Sequence, residues 1–211
     1  MKNKTREELS RLLQERNEYP DRIEQIDARI RQTFGETRAV LVMDMSGFSR
    51  MTIKHGIIHF LAMIHRMNQI VAPTVREHGG RVIKFEADNA FATFDTVEAA
   101  VEAAIDISRR FSAANTMLPE EMDMHGKFGI GYGEILIIED QDLFGSEVNL
   151  ASKLGEDLAK RGEILLTEAA FAEVEAEGLE CEEVSMTISG LQLNVHKVVL
   201  KGKDEAEGEK V

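Results

Sequence analysis

Apolar strands and amphipathic helices follow one another along residues 39–138 in the order strand, helix, strand, strand, helix, strand. The first strand is apolar at every position, which is typical of a strand buried on both faces of a sheet. The last strand carries glycines at alternate positions, which permits close packing against one face. This order predicts an α+β fold with a ferredoxin-like βαββαβ core. The predicted elements cover 39–43, 55–77, 81–85, 89–94, 97–111 and 127–138.

Further elements precede and follow this core. Thr5 and Glu8 form a capping box, and apolar residues at helical spacing on both sides of Pro20 predict two short helices. These helices either cover an edge of the core or form a dimerising, signal-relaying hairpin. The C-terminal elaboration is predicted as a helix, a strand, a helix and two strands, over 147–160, 163–166, 168–175, 182–188 and 192–200. We therefore divide the chain into a helical segment (1–36), a main domain (37–200) and a charged tail (201–211) that we expect to be disordered.

Charge and composition exclude several classes of function. The 211 residues carry a formal net charge of −13 and show no basic cluster, which argues against a nucleic-acid-binding protein. No apolar run is long enough to cross a bilayer, and Cys181 is the single cysteine. We expect a cytoplasmic protein that binds neither nucleic acid nor membrane. A small anionic substrate remains compatible with the charge, because divalent cations reverse the local field.

Two aspartates end buried strands. Asp44 follows the first apolar strand and precedes a Ser-Gly turn, where a carboxylate can hold a hard cation and turn amides can bind phosphate. Asp88 occupies the tip of the predicted hairpin between two later strands. If these strands lie side by side, the two carboxylates approach each other and favour a shared Mg²⁺. The alternatives are a helix cap at Asp44 and an ordinary Asp-Asn turn at Asp88.

A third group of polar residues lies on the predicted helix 147–160. Asn149 and Lys153 are four residues apart and share one helix face. An amide beside an ammonium suits a sugar oxygen and a phosphate, although a solvated polar face explains most such pairs.

Together these segments resemble the catalytic domain of class III adenylyl and guanylyl cyclases. The resemblance runs from about residue 39 to 168 and rests on four stretches in order, which are DMSGFS at 44–49, KFEAD at 84–88, GYGE at 131–134 and DLFGSEVNLAS at 142–152. It implies conversion of ATP to cyclic AMP with two Mg²⁺ or Mn²⁺ ions, in a homodimer with composite sites.

The resemblance also implies a role for each matching residue. The predicted metal ligands are the Asp44 and Asp88 carboxylates and the Met45 carbonyl. Lys84 and Asp142 are expected to read adenine, while Asn149 orients the ribose and Lys153 contacts phosphate, both from the other subunit. Backbone amides are expected to cradle the β- and γ-phosphates at Ser46, Gly47, Phe48 and Ser49.

The chain departs from the family pattern at three places. Lys153 replaces the usual arginine and loses its planar fork. Ala87 replaces the usual glycine before the hairpin aspartate, and 187–191 supplies hydroxyls where many relatives have a basic residue. These departures leave open another base specificity (GTP or a pyrimidine nucleotide) and a degenerate, nucleotide-binding regulatory dimer. A diguanylate-cyclase-type enzyme is disfavoured, because its Gly-Gly-Asp/Glu-Glu-Phe hairpin is missing.

Overall fold

A computed structural model describes residues 4–46, 55–117, 123–174, 178–188 and 191–200. The described residues form one eight-stranded sheet in the order β2-β3-β1-β4-β6-β8-β7, with β5 paired to β4. The predicted βαββαβ core and its C-terminal elaboration are confirmed. The strands are β1 (Gly35–Met45), β2 (Arg81–Glu86), β3 (Asn89–Phe94), β4 (Gly126–Ile138), β5 (Asp142–Phe144), β6 (Ile164–Thr167), β7 (Cys181–Ile188) and β8 (Leu191–Val198).

Helices cover both faces of this sheet. Successive residues of β1 point to opposite faces, so Leu41 joins the core beneath one helical layer and Val42 joins the core beneath the other. This double burial explains why the strand is apolar throughout. The helices are α1 (Arg6–Glu18), α2 (Ile23–Phe34), α3 (Ile57–Glu77), α4 (Val97–Asn115), α5 (Ser146–Ser152) and α6 (Glu168–Val174), with a 3₁₀ turn at Pro20–Arg22 and a π-helix at Lys153–Leu158.

The cap predicted at Thr5 is present at the start of the first helix. The Thr5 side chain accepts a hydrogen bond from the Glu8 amide at 3.3 Å and begins α1. Thr96 accepts from the Ala99 amide, also at 3.3 Å, and begins α4. Of the helices in the described ranges, none is both long and apolar enough to span a bilayer.

Two features differ from the sequence prediction. The helix expected over 147–160 changes from α to π geometry at Lys153, and the short strand β5 was not expected. The glycines of β4 account for the close approach of this helix, because a Cβ atom at Gly129 would lie 2.0 Å from the Ala151 carbonyl oxygen. Gly155 also permits close packing, because a Cβ atom at this position would lie 2.8 Å from the Val42 carbonyl oxygen. The close packing predicted from alternate glycines is therefore confirmed.

The N-terminal helices pack as a hairpin against the outer end of β4. Leu12, Ile26 and Phe34 are almost completely buried with Ile138 in a separate apolar cluster. This contact agrees with the reading in which the hairpin covers an edge of the core.

Candidate active site

The first predicted metal ligand lies at the end of the central strand. Asp44 pairs with Asn89 on β3 and with Lys127 on β4, so it is flanked by two antiparallel neighbours. Its side chain is 15% exposed. Burial raises the pKa of Asp44 above its ordinary value, and the Lys127 ammonium only partly offsets this effect.

The second aspartate is carried to the same place by the hairpin between β2 and β3. Ala87, at the turn, adopts a φ of 52°, in the left-handed region that a glycine would occupy at lower cost. The Met45 amide donates to the Asp88 carbonyl at 3.2 Å, which ties the turn to the end of β1. Burial raises the pKa of Asp88, and the nearby charge of Asp44 raises it further. The structure therefore brings the two predicted carboxylates together.

Lys127 is a third charged group beside Asp44 and Asp88, and the sequence did not predict it. Its ammonium forms an ion pair with Asp44 and donates to the Glu156 carbonyl oxygen at 2.6 Å. The available signal was a charged residue at the start of a strand that is mainly apolar and rich in glycine. Its position opposite Asp44 depends on the register of two strands more than 80 residues apart in the chain, which no local pattern reveals.

The π-helix contributes acidic groups beside the pair. Burial raises the pKa of Glu156, and the charges of Asp44 and Asp157 raise it further. A π-helical turn often marks a functional site. Across the described ranges, His, Cys, Asp and Glu side chains do not form a metal-holding group of three or more.

The arrangement fits divalent cations that also bind the substrate. Mg²⁺ is commonly held by one or two carboxylates together with substrate phosphates, and Asp44 and Asp88 supply such a pair. Burial raises the pKa of both carboxylates, and a divalent cation held by them would stabilise their charged forms. The Met45 carbonyl remains a predicted ligand.

The predicted phosphate loop lies largely outside the described residues, since these stop at Ser46. The Ser46 amide donates to the His125 carbonyl at 2.9 Å, so this amide already has a partner. The Ser46 hydroxyl is buried, and no described residue forms a hydrogen bond with it. Among the described residues, the hydroxyl therefore lacks a hydrogen-bond partner, whereas the amide expected to bind phosphate has one. Gly47, Phe48 and Ser49 fall among the undescribed residues.

The two predicted base-reading residues are in contact. Lys84 on β2 and Asp142 on β5 form an ion pair with 3.1 Å between Nζ and Oδ1, and Lys84 also lies 3.0 Å from Glu86. The Lys84 ammonium stands 4.8 Å from the centre of the Phe91 ring. Burial raises the pKa of Asp142, but hydrogen bonds from Lys84, the Leu143 amide and other donors outweigh it and lower the pKa overall.

Asn149 and Lys153 form no described hydrogen bond or ion pair with these groups. Asn149 is exposed on α5, and the Lys153 side chain is 53% exposed and pairs with Asp157 at 2.7 Å. Within the described part of the chain, no hydrogen bond or ion pair joins either side chain to the acidic pair or to the base-reading pair.

The fold is that of a nucleotidyl cyclase catalytic domain. The family model described as the adenylate and guanylate cyclase catalytic domain matches residues 32–203, and the chain belongs to this family.

Among curated proteins, "Putative adenylate cyclase 3" of Rhizobium meliloti (strain 1021) is 32% identical over 130 residues, which cover 62% of this chain. The matched region is 22% of that relative, so the chain spans only a minor part of its length.

Solved structures give the same fold. The adenylate/guanylate cyclase/hydrolase from Silicibacter pomeroyi superposes with a TM-score of 0.67 at 23% identity, covering 79% of this chain and 98% of that one. The adenylyl cyclase CyaB from P. aeruginosa superposes with a TM-score of 0.66 at 20% identity, covering 81% of this chain and 98% of that one.

Proposed function

We propose that this chain is an adenylyl cyclase that converts ATP into cyclic AMP and pyrophosphate. The observation that carries the proposal is the 3.1 Å contact between Lys84 and Asp142 in a domain whose sheet also brings Asp44 and Asp88 together. Adenine presents an acceptor at N1 and donors at its exocyclic amine, which match an ammonium and a carboxylate. Guanine presents N1–H and O6, so the same pair is mismatched against it.

The reaction joins two atoms of one substrate. The ribose 3′-oxygen attacks the α-phosphorus, the bond from that phosphorus to the bridging oxygen of the β-phosphate breaks, and the hydroxyl proton passes to solvent. Divalent cations held by Asp44, Asp88 and the Met45 carbonyl would supply Lewis-acid chemistry, which acidifies the hydroxyl and neutralises charge on the phosphates. The chain's own residues bind and orient the nucleotide, and Lys127 adds a fixed positive charge next to the acidic pair.

The site is completed by a second copy of the chain in this proposal. Asn149 and Lys153 are exposed and make no described contact with the acidic or base-reading residues of their own chain. A head-to-tail homodimer places Asn149 of one subunit at the ribose and Lys153 at the α-phosphate of the substrate bound to the other. Two equivalent composite sites follow from this symmetry.

One observation favours a second candidate, a nucleotide-binding regulatory module without turnover. Lys153 stands where the family usually has arginine, and its ammonium is held by Asp157 one turn along the same helix. A lysine held in this way stabilises a developing phosphate charge less effectively than a free arginine. The intact acidic pair favours the enzyme.

Incubation with each of ATP, GTP, CTP and UTP in the presence of Mn²⁺, followed by mass analysis of products, tests the proposal. We expect cyclic AMP from ATP at a higher rate than any other cyclic nucleotide, and loss of this activity in Asp44→Ala. Product that persists in Asp44→Ala would come from a contaminant. A preference for another nucleotide would refute the base assignment, and nucleotide binding without product would support the regulatory module.

A further inference from the structure

The start of the N-terminal hairpin is attached to the turn that leads into β5. The Glu139 amide donates to the Lys4 carbonyl at 2.9 Å, and the Lys4 ammonium forms an ion pair with Glu36 on β1. Behind these contacts, Phe34 and Ile138 are buried in the apolar cluster between the hairpin and β4. The first turn of α1 therefore has a defined position beside Asp142.

The two oxygens of Asp142 have different partners. Oδ1 accepts from Lys84 at 3.1 Å and from the Leu143 amide at 3.0 Å. Oδ2 faces Arg6, with 3.4 Å to Nη2. The Asp142 side chain is 17% exposed, whereas that of Arg6 is 61% exposed. Oδ2 is thus the oxygen with acceptor capacity left for a ligand, and its described neighbour comes from the N-terminal hairpin.

We propose that Arg6 is a positioning residue for base recognition, which holds Oδ2 of Asp142 charged and correctly oriented for the exocyclic amine of adenine. This inference rests on the proposed function, because it assigns a second cation to the same base-reading carboxylate. Lys84 and Arg6 hold the carboxylate by opposite oxygens, which restricts its rotation about the Cβ–Cγ bond. An oxygen that accepts one hydrogen bond from a guanidinium retains a lone pair for an N–H of the base.

Arg6 is expected to affect discrimination between bases and not the rate of the chemical step. Arg6 contacts neither Asp44 nor Asp88 in the described residues, so its removal leaves the groups at the reacting phosphate unchanged. An exposed ion pair is weak, and its loss corresponds to a change in affinity of about two- to fivefold. We therefore expect a higher KM for ATP with kcat retained, and an unchanged KM for GTP.

Three substitutions test this inference on the full chain. Arg6→Gln removes the charge, Arg6→Lys keeps it, and Arg11→Gln removes a guanidinium from the same helix that pairs instead with Glu8 and Glu15. KM and kcat for ATP and for GTP are measured with Mn²⁺, and circular dichroism verifies that each variant is folded. We expect Arg6→Gln to raise KM for ATP by about two- to fivefold, Arg6→Lys to restore most of the loss, and Arg11→Gln to match the wild type.

The inference is overturned if Arg6→Gln matches Arg11→Gln, if it changes the KM values for ATP and GTP by the same factor, or if Arg6→Lys gives no rescue. These outcomes leave the proposed function intact when the wild type makes cyclic AMP. If the wild type turns over no nucleotide, the proposed function fails. The role of Arg6 is then tested by the Kd values for ATP and GTP in the same variants, which replace the KM values in the comparisons above. A wild type that binds neither nucleotide overturns both proposals.

Discussion

Replacing Lys127 with methionine removes the ammonium that balances the acidic pair while keeping a side chain of similar length. The Lys127 and Asp44 side chains are only 16% and 15% exposed, so the variant leaves a largely buried carboxylate without its ion pair. Breaking a fully buried pair costs about 3–5 kcal/mol, and the partial exposure places this pair near the lower end, at about 3 kcal/mol. For a chain of this size, that loss corresponds to a fall in Tm of about 6–12 °C.

The size of this loss is expected to depend on metal. A divalent cation at Asp44 and Asp88 replaces the lost positive charge, so saturating Mn²⁺ should reduce the difference between variant and wild type to about 1 kcal/mol. The free energy of unfolding is measured by urea denaturation at pH 7.5, once in EDTA and once in Mn²⁺. Lys153→Met is the matched control, because its ion pair with Asp157 is about half exposed and should contribute about 1 kcal/mol or less in both conditions.

Two results would refute this reasoning. If Lys127→Met is as stable as the wild type in EDTA, the ion pair does not balance the buried carboxylates. If the loss is the same in EDTA and in Mn²⁺, the cation does not bind where the ammonium acts.

Three further predictions concern the acidic pair, the composite site and the packing of α5 on β4. Asp88 has a raised pKa in the folded chain, so its ionisation costs stability as pH rises through that pKa. In EDTA, Asp88→Asn should therefore be more stable than the wild type at neutral pH, and this difference should vanish towards about pH 4, the ordinary carboxyl range. A variant that is less stable than the wild type at neutral pH would contradict this prediction. If the sites are composite, mixing the inactive variants Asp44→Asn and Asn149→Ala should restore up to about a quarter of wild-type activity, because about half of the dimers are mixed and each mixed dimer has one intact site. Absence of activity in verified heterodimers would argue for sites within one chain. Gly129→Ala should destabilise the fold by about 1–3 kcal/mol, because the added Cβ atom would collide with the Ala151 carbonyl oxygen. The loss is measured by thermal unfolding, and an unchanged Tm would show that α5 shifts away from β4 without cost.

The secondary structure of the core was predictable because its signals are local. β1 contains a continuous apolar run, and α3 has apolar residues at helical spacing. Both patterns lie within one segment of the chain and reflect burial along its length. The capping residue Thr5 also acts on an amide three residues away, so its effect is visible in the chain order. The hairpin that carries Asp88 belongs to the same class of short-range feature.

The approach of Asp44 and Asp88 was predictable from their positions at strand ends, on the condition that the strands lie side by side. The pairing of Lys84 with Asp142 was predictable only from the family motifs. The resemblance to cyclases predicted that Lys84 would meet Asp142, and the structure places them 3.1 Å apart. The base-reading role of this pair and the metal-binding, ribose-binding and phosphate-binding roles of the other residues remain predictions.

The amino-acid sequence alone determined the order of strands and helices and the burial of β1, because periodicity and turn residues are properties of neighbouring positions. The cyclase-like fold was predicted from the resemblance of the segments 44–49, 84–88, 131–134 and 142–152 to a known family. The three-dimensional fold decided which charges meet. Lys127 faces Asp44 through strand register, Arg6 reaches Asp142 because the hairpin packs on β4, and the α5 helix changes to π geometry where its backbone lies on that of β4. Each of these contacts joins segments far apart in the chain, whose relative position depends on the packing of the whole sheet.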